Sequence, residues 1–366
     1  MKHFLRIIFT LICFIISCLP VSTAQAGLIG QKQESEMGKA AAEQLEARYG
    51  LYQDSATEER INRIGQSLAA VCGRKDINYT FKVLNTEEIN ALACPGGYIY
   101  VFKGLLDYMP SDAELAGVLG HEIGHVVKRH TVKQIEKNMW TQLAAILAGI
   151  ASGNGDVLAM GMVVSDALAA GYSRADETQA DQEGFTYTVR AGYSPYAMLV
   201  TLNKLEELSR QYGNPGWGLF DSHPEPEQRV KKIKKMLESL NISPEPDIKA
   251  DGSVTVKETF SGTDWEFKIL GPGSGNKPEY RAELLAGALY QVKQKGKVMP
   301  SHFIVYDAGD KATIYYEDMQ ILTVYQEESA AFNGTGAYAN YCAALFRDWA
   351  ERVNKAHSFL ERSMRS

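Results

Sequence analysis

The chain has 366 residues, 45% of them hydrophobic and 22% charged, a ratio that excludes a disordered chain and supplies enough apolar surface for a packed core. At roughly 100 to 200 residues per domain the length predicts two domains, one large and one small. With a net charge of -6, the basic surface of a nucleic-acid binder is not expected.

At the N-terminus, Lys2 and Arg6 precede an apolar run from Ile7 to Leu19, and Ala24-Gln25-Ala26 follows. This is the pattern of a secretory signal peptide over residues 1–26 and predicts a periplasmic protein. The run is short for a bilayer crossing, which disfavours a membrane anchor. Ile15-Ile16-Ser17-Cys18 also resembles a lipoprotein box, a second processing route that would attach lipid at Cys18. Cleavage after Ala26 removes two cations and no acidic residue, taking the charge to -8. Cys72, Cys94 and Cys342 then remain in a compartment where disulfides form. Their odd number allows one bridge at most and is equally satisfied by three buried thiols.

Helices are predicted over Glu34–Tyr49, ended by Gly50, and over Glu58–Val71, ended by Gly73. A strand over Tyr79–Leu84 leads through polar residues 85–90 to Cys94-Pro95-Gly96-Gly97 and a second strand, Tyr98–Phe102. Asp112 is the expected N-cap of a helix that runs through Leu115, Val118, Leu119 and Ile123 to His130. Residues 141–170 are apolar but broken by Ser152-Gly153-Asn154-Gly155-Asp156, giving two core or capping pieces, each too short to cross a bilayer. Further helices are expected over Asp176–Gly192 and Pro226–Leu240. The turn-rich segment 241–252 reads as a linker. Beyond it, strands over Val254–Phe260, Trp265–Leu270, Phe303–Tyr306 and Ala312–Tyr316 alternate with helices over Tyr280–Lys295 and Ala337–Leu360. The expected class is therefore α+β: a mainly helical domain with a small β-sheet over 27–240, and a smaller α+β domain over 253–366.

The chemistry lies in His121-Glu122-Ile123-Gly124-His125. Four residues turn about 400° on a helix, so both imidazoles share a face where their ring nitrogens can meet one zinc ion, with Glu122 reaching its water. A catalytic zinc needs a third ligand and an open position. Ser173-Arg174-Ala175-Asp176-Glu177-Thr178-Gln179-Ala180-Asp181 offers carboxylates four apart on one helix face. The longer Glu177 is the candidate ligand, and Asp181 is the candidate hydrogen-bond partner for a ligating histidine. An acidic helix of this kind is by itself usually only a solvated face. His130, nine residues after His121 and rotated about 180°, is read as a surface or helix-end residue. His302 and His357 are assigned no chemistry, and Cys94 is read as a packing residue.

HEIGHVVKRH, followed by SRADETQAD and preceded by NALACPGGYIYVFKGLL, resembles the HtpX and CAAX-prenyl-protease family of gluzincin zinc metallopeptidases, in particular its soluble periplasmic BepA/LoiP-like branch. The similarity covers roughly residues 31 to 235 and extends to Ser222-His223-Pro224 and Arg229. It implies a zincin-like fold, one zinc ion at His121, His125 and Glu177, and Glu122 as the catalytic carboxylate. Residues 253–366 depart from the branch, showing strands where relatives carry a tetratricopeptide array, so their partners do not carry over.

The expected function is zinc-dependent endopeptidase cleavage of unfolded or misassembled envelope proteins, with Glu122 as general base. His223 and Arg229 are candidate donors to the developing oxyanion, because the resemblance brings their segment to the cleft. His223 is open to two further readings, a resting occupant of the fourth zinc position and a plain loop histidine. Gly97, Tyr98, Ile99 and Tyr100 suit an edge strand that pairs with an extended substrate, although a buried strand explains them equally well. Association with the outer membrane or its assembly machinery is the partner expectation. The alternatives are an assembly factor that binds in the same cleft without cutting, and a zinc hydrolase of cell-wall peptides.

Overall fold

The computed structural model describes residues 28–138, 156–212, 223, 226–243, 246–257, 263, 265–273 and 275–363. The expected leader over 1–26, lipidation at Cys18, the first apolar piece of 141–170, and Ser222 and Pro224 lie outside these residues.

Helices α1 (Gln31–Tyr49) and α2 (Ser55–Ala69) come first. Asp54 caps α2 by accepting from the Thr57 amide at 3.0 Å, and Ile61, Ile64 and Leu68 bury the face that covers the sheet. That sheet holds β1 (Thr80–Leu84), β2 (Ala91–Cys94) and β3 (Tyr98–Phe102) in the order β1-β3-β2. Strand β3 runs parallel to β1, Thr80 opposite Tyr98, and antiparallel to β2, Ala91 opposite Val101. The sequence expectation omitted β2 and left this segment open between an edge and a buried strand; Tyr98–Phe102 is the central strand. A short α3 (Lys103–Tyr108) leads to α4 (Asp112–Lys128).

The N-cap of α4 is Ser111, not Asp112. Its hydroxyl accepts from the Glu114 amide at 3.2 Å while Glu114 accepts from the Ser111 amide at 3.0 Å, a reciprocal capping box. Asp112, in the first turn, instead pairs with Arg60 at 2.7 Å and Arg63 at 2.5 Å on α2. Helices α5 (Asp156–Ala169), α6 (Arg174–Arg190), α7 (Ala197–Tyr212) and α8 (Pro226–Ser239) follow. Among the described residues, no helix is long and apolar enough to cross a membrane.

Two further sheets form beyond α8. Strands β4 (Asp247–Ile248), β5 (Val254–Lys257) and β6 (Glu266–Ile269) are antiparallel neighbours, so the expected linker contributes a strand. After α9 (Pro278–Gln294), strands β7 (Phe303–Asp307), β8 (Lys311–Tyr316) and β9 (Met319–Tyr325) make an antiparallel meander, covered by α10 (Thr335–Ser363). Trp265, Phe267, Phe303, Phe346 and Trp349 fill this core. The C-terminal part is welded to the helices before it. Lys204 Nζ donates to Glu114 Oε1 and to Asn276 Oδ1, both at 2.7 Å. Gln291 donates to the carbonyls of Val189 and Tyr193. Cys72, Cys94 and Cys342 are separate buried thiols.

Candidate metal centre

The site forms where α4 crosses α6. A Cβ on Gly124 would lie 2.7 Å from the Ala180 carbonyl oxygen, and one on Gly184 would lie 2.8 Å from the His121 amide nitrogen. Only glycine allows backbones to approach this closely. His121 and His125, about one turn apart on α4, therefore face Glu177 and Asp181, about one turn apart on α6. Helix α6 is fixed at this end by Ser173, which accepts from the Asp176 amide at 3.2 Å.

The Nε2 atoms of His121 and His125 lie 2.9 Å apart. Glu177 lies 3.3 Å from His125 Nε2 and 3.5 Å from His121 Nε2. Ligands on a tetrahedral zinc at 2.0 to 2.1 Å stand about 3.3 Å from one another, so the observed spacings suit the ion. Glu122 Oε2 adds a second indication, since it is buried without a hydrogen bond, a condition native interiors rarely leave uncompensated. His223 joins the group: its Nδ1 lies 3.0 Å from Glu177 Oε1 and 3.1 Å from His121 Nε2, and its Nε2 lies 3.5 Å from Glu122 Oε1. One donor atom from each of His121, His125, Glu177 and His223 lies within 4.8 Å of the others.

Behind these donors, His121 Nδ1 meets Asp181 Oδ1 at 2.9 Å, which turns the lone pair of Nε2 toward the centre. Arg229 grips Asp181 with Nε at 2.8 Å and Nη2 at 2.7 Å, and reaches Glu177 Oε2 with Nη1 at 2.8 Å. Three of its five N–H groups thus face the two carboxylates, so Arg229 acts on residues that would hold the metal.

Burial pushes the Glu122 carboxyl above its ordinary value, against the opposing charges of His223 and His121. Burial also acts to raise Glu177, but Arg229, His223 and His121 outweigh it and hold that carboxyl well below the usual range. Burial holds His125 well below the ordinary histidine value, which keeps the imidazole neutral.

Two sequence readings change. His130 is neither at the surface nor confined to helix-end packing; it is buried with Nδ1 2.9 Å from His125 Nδ1. The helical phase fails there because Arg129 adopts a left-handed conformation, φ 56° and ψ 39°. Tyr98, Ile99 and Tyr100 are flanked by strands on both sides, and Gly97 sits in a buried turn, so these residues have no free edge for a substrate. Cys94 is buried, its thiol pushed up to about 12 by burial and by the Glu122 charge, in keeping with packing. Tyr172 escaped the sequence reading. Its ring stacks on His125 with centroids 3.8 Å apart, while its hydroxyl meets Thr131 Oγ1 at 2.9 Å. No spacing rule marks a tyrosine placed just before a helix cap.

The model of peptidase family M48 matches residues 55–237, half of the chain, from α2 to α8. The chain belongs to peptidase family M48. The matched residues include His121, Glu122, His125, Glu177, His223 and Arg229. Zinc is the metal of the M48 peptidases, and His121, His125, Glu177 and His223 form the group here that could hold it. The chain is 28% identical to the beta-barrel assembly-enhancing protease of Yersinia pestis over 277 residues, 72% of this chain and 54% of that protein. It is 30% identical to the metalloprotease YcaL of Escherichia coli over 184 residues, 50% of this chain and 70% of YcaL. It is 27% identical to the mitochondrial metalloendopeptidase OMA1 of Schizosaccharomyces pombe over 232 residues, 62% of this chain and 66% of OMA1. The chain spans about half the length of the assembly-enhancing proteases it matches.

Proposed function

We propose that the protein is a zinc-dependent endopeptidase that hydrolyses peptide bonds of unfolded or misassembled envelope proteins. The carrying observation is the convergence of His121, His125 and Glu177 beside Glu122, a buried carboxylate with one oxygen left bare. A zinc ion held by those three side chains would polarise a peptide carbonyl and bring the pKa of water to about 7. Glu122 accepts the proton of the attacking water and returns it to the leaving nitrogen. Asp181 holds the His121 ring, and Arg229 holds Asp181 and Glu177 in register.

His223, seated over Glu177 and Glu122, serves either as a donor to the developing oxyanion or as a resting occupant of the open position. His223→Ala separates the two: activity rises if the histidine holds the enzyme latent and falls if it stabilises the transition state. The envelope substrate class is supported by the leader pattern over 1–26 and by the Yersinia relative's name, which ties that protein to β-barrel assembly. The test is Glu122→Gln, which should keep zinc but lose proteolysis of an unfolded protein, beside His121→Ala, which should lose both. Wild-type turnover in Glu122→Gln overturns the proposal, as does a wild-type protein that binds no zinc.

A further inference from the structure

A histidine that ligates a metal through one ring nitrogen needs the other nitrogen held, so that ring orientation and tautomer are fixed. His121 has a carboxylate in that role, Asp181 at 2.9 Å. His125 has another imidazole: its Nδ1 faces His130 Nδ1 at 2.9 Å. His130 is only 2% exposed, and its far nitrogen, Nε2, lies 3.5 Å from both Gln179 Oε1 and Asp176 Oδ1 at the start of α6.

We infer that His130 is a positioning residue that fixes the tautomer and ring orientation of His125, and that it does so as a neutral acceptor. The inference rests on the zinc reading above. For His125 to offer a lone pair at Nε2, its proton must sit on Nδ1. The atom facing that proton is His130 Nδ1, which must then be bare. His130 in turn carries its own proton on Nε2, where acceptors from Gln179 and Asp176 face it. One proton assignment satisfies all of these atoms. The opposite assignment on His130 would set two N–H groups against each other at 2.9 Å.

The backbone is shaped for this contact. On an unbroken helix, His130 would be rotated about 140° from the His125 ligand face. The left-handed Arg129 turns the chain back. Arg129 is anchored by Nε to Glu34 Oε2 at 2.8 Å and by Nη2 to the Ile29 carbonyl at 2.6 Å. Glu34 is itself buried and held by Arg74 with Nη1 at 2.7 Å and Nη2 at 3.0 Å. Helix α1 therefore braces the turn that delivers His130.

The experiment compares the wild type with His130→Phe, which keeps an aromatic ring but removes the acceptor, and His130→Asn, which keeps a side-chain acceptor. Zinc dissociation constants are measured by chelator competition, and the geometry is read from the visible spectrum of the cobalt-substituted protein. The expected result is a 10- to 100-fold loss of zinc affinity and an altered cobalt spectrum in His130→Phe, with partial recovery in His130→Asn. Nitrogen NMR of the histidine rings in zinc-loaded wild type should place protons on His125 Nδ1 and His130 Nε2, and none on His130 Nδ1; this decides the question even if His130→Phe does not fold. A proton on His130 Nδ1, or His130→Phe affinity within about twofold of wild type with an unchanged cobalt spectrum, overturns the inference alone. Absence of zinc binding by the wild type overturns the zinc reading and the inference with it.

Discussion

Replacing Gly124 with alanine tests whether backbone approach between α4 and α6 sets the ligand spacing. The new Cβ would lie 2.7 Å from the Ala180 carbonyl oxygen and 2.9 Å from the Ala180 Cα, where ordinary contact begins at 3.4 Å. Both obstacles are backbone atoms and cannot rotate away, so the helices must part by about 0.7 Å at the crossing. Overpacking of this kind costs about 1 to 3 kcal/mol of stability. Because Glu177 and Asp181 ride on α6, the same movement draws them from His121 and His125, and a misplacement near 1 Å lowers turnover roughly 100-fold. Thermal unfolding and kcat/KM on an unfolded protein substrate provide the readout. Gly271→Ala is the comparison, since a Cβ there meets nothing within 4 Å. Gly124→Ala with a wild-type melting temperature and kcat/KM within about threefold of wild type would refute the reasoning.

Lys204→Met leaves the carboxylate of Glu114, 0% exposed, without its buried cation; a loss of about 3 to 5 kcal/mol is expected in chemical denaturation, and a loss below about 1 kcal/mol would count against it. Chelation should lower the melting temperature and added zinc restore it, since a metal at 100 times its Kd stabilises by about 2.7 kcal/mol; a melt indifferent to both would rule out a site of that affinity. Burial would raise the Asp112 carboxyl, but Arg63 and Arg60 overcome it and hold the group below its ordinary value. Its contribution is therefore present above about pH 4 and lost as pH falls through the depressed value. The stability gap between wild type and Asp112→Asn should thus narrow in acid, and a gap that widens on acidification would contradict this.

The helical part of the site was legible because it obeys helical spacing: His121 and His125 recur at four residues, as do Glu177 and Asp181, whereas His223 came only with the family resemblance. The cap of α4 was misassigned by one residue although Ser111 and Glu114 form the reciprocal pair that marks a helix start. Strand β2 was missed because Ala91-Leu92-Ala93-Cys94 carries little β-propensity and is made a strand by its pairing with β3. That omission left a central strand open to being read as an edge. His130 was misread because the phase argument assumed an unbroken helix, whereas ion pairs from Glu34, far away in sequence, hold Arg129 in a left-handed turn. Tertiary contacts of this kind leave no local periodicity to read.

The buried amide of Asn276 gives the C-terminal third a structural duty in the helices that precede it. It donates to Glu114 Oε2 at 3.1 Å and accepts from Lys204, while Tyr280 of α9 packs with Phe185, Leu202 and Ile233 in one cluster. Truncating the protein near residue 252 to obtain a minimal peptidase would bare that cluster and strip a partner from the base of the helix bearing both histidines. A shortened version would need apolar-to-polar repairs on α7 and a substitute for Asn276 before its activity could be compared with that of the intact chain.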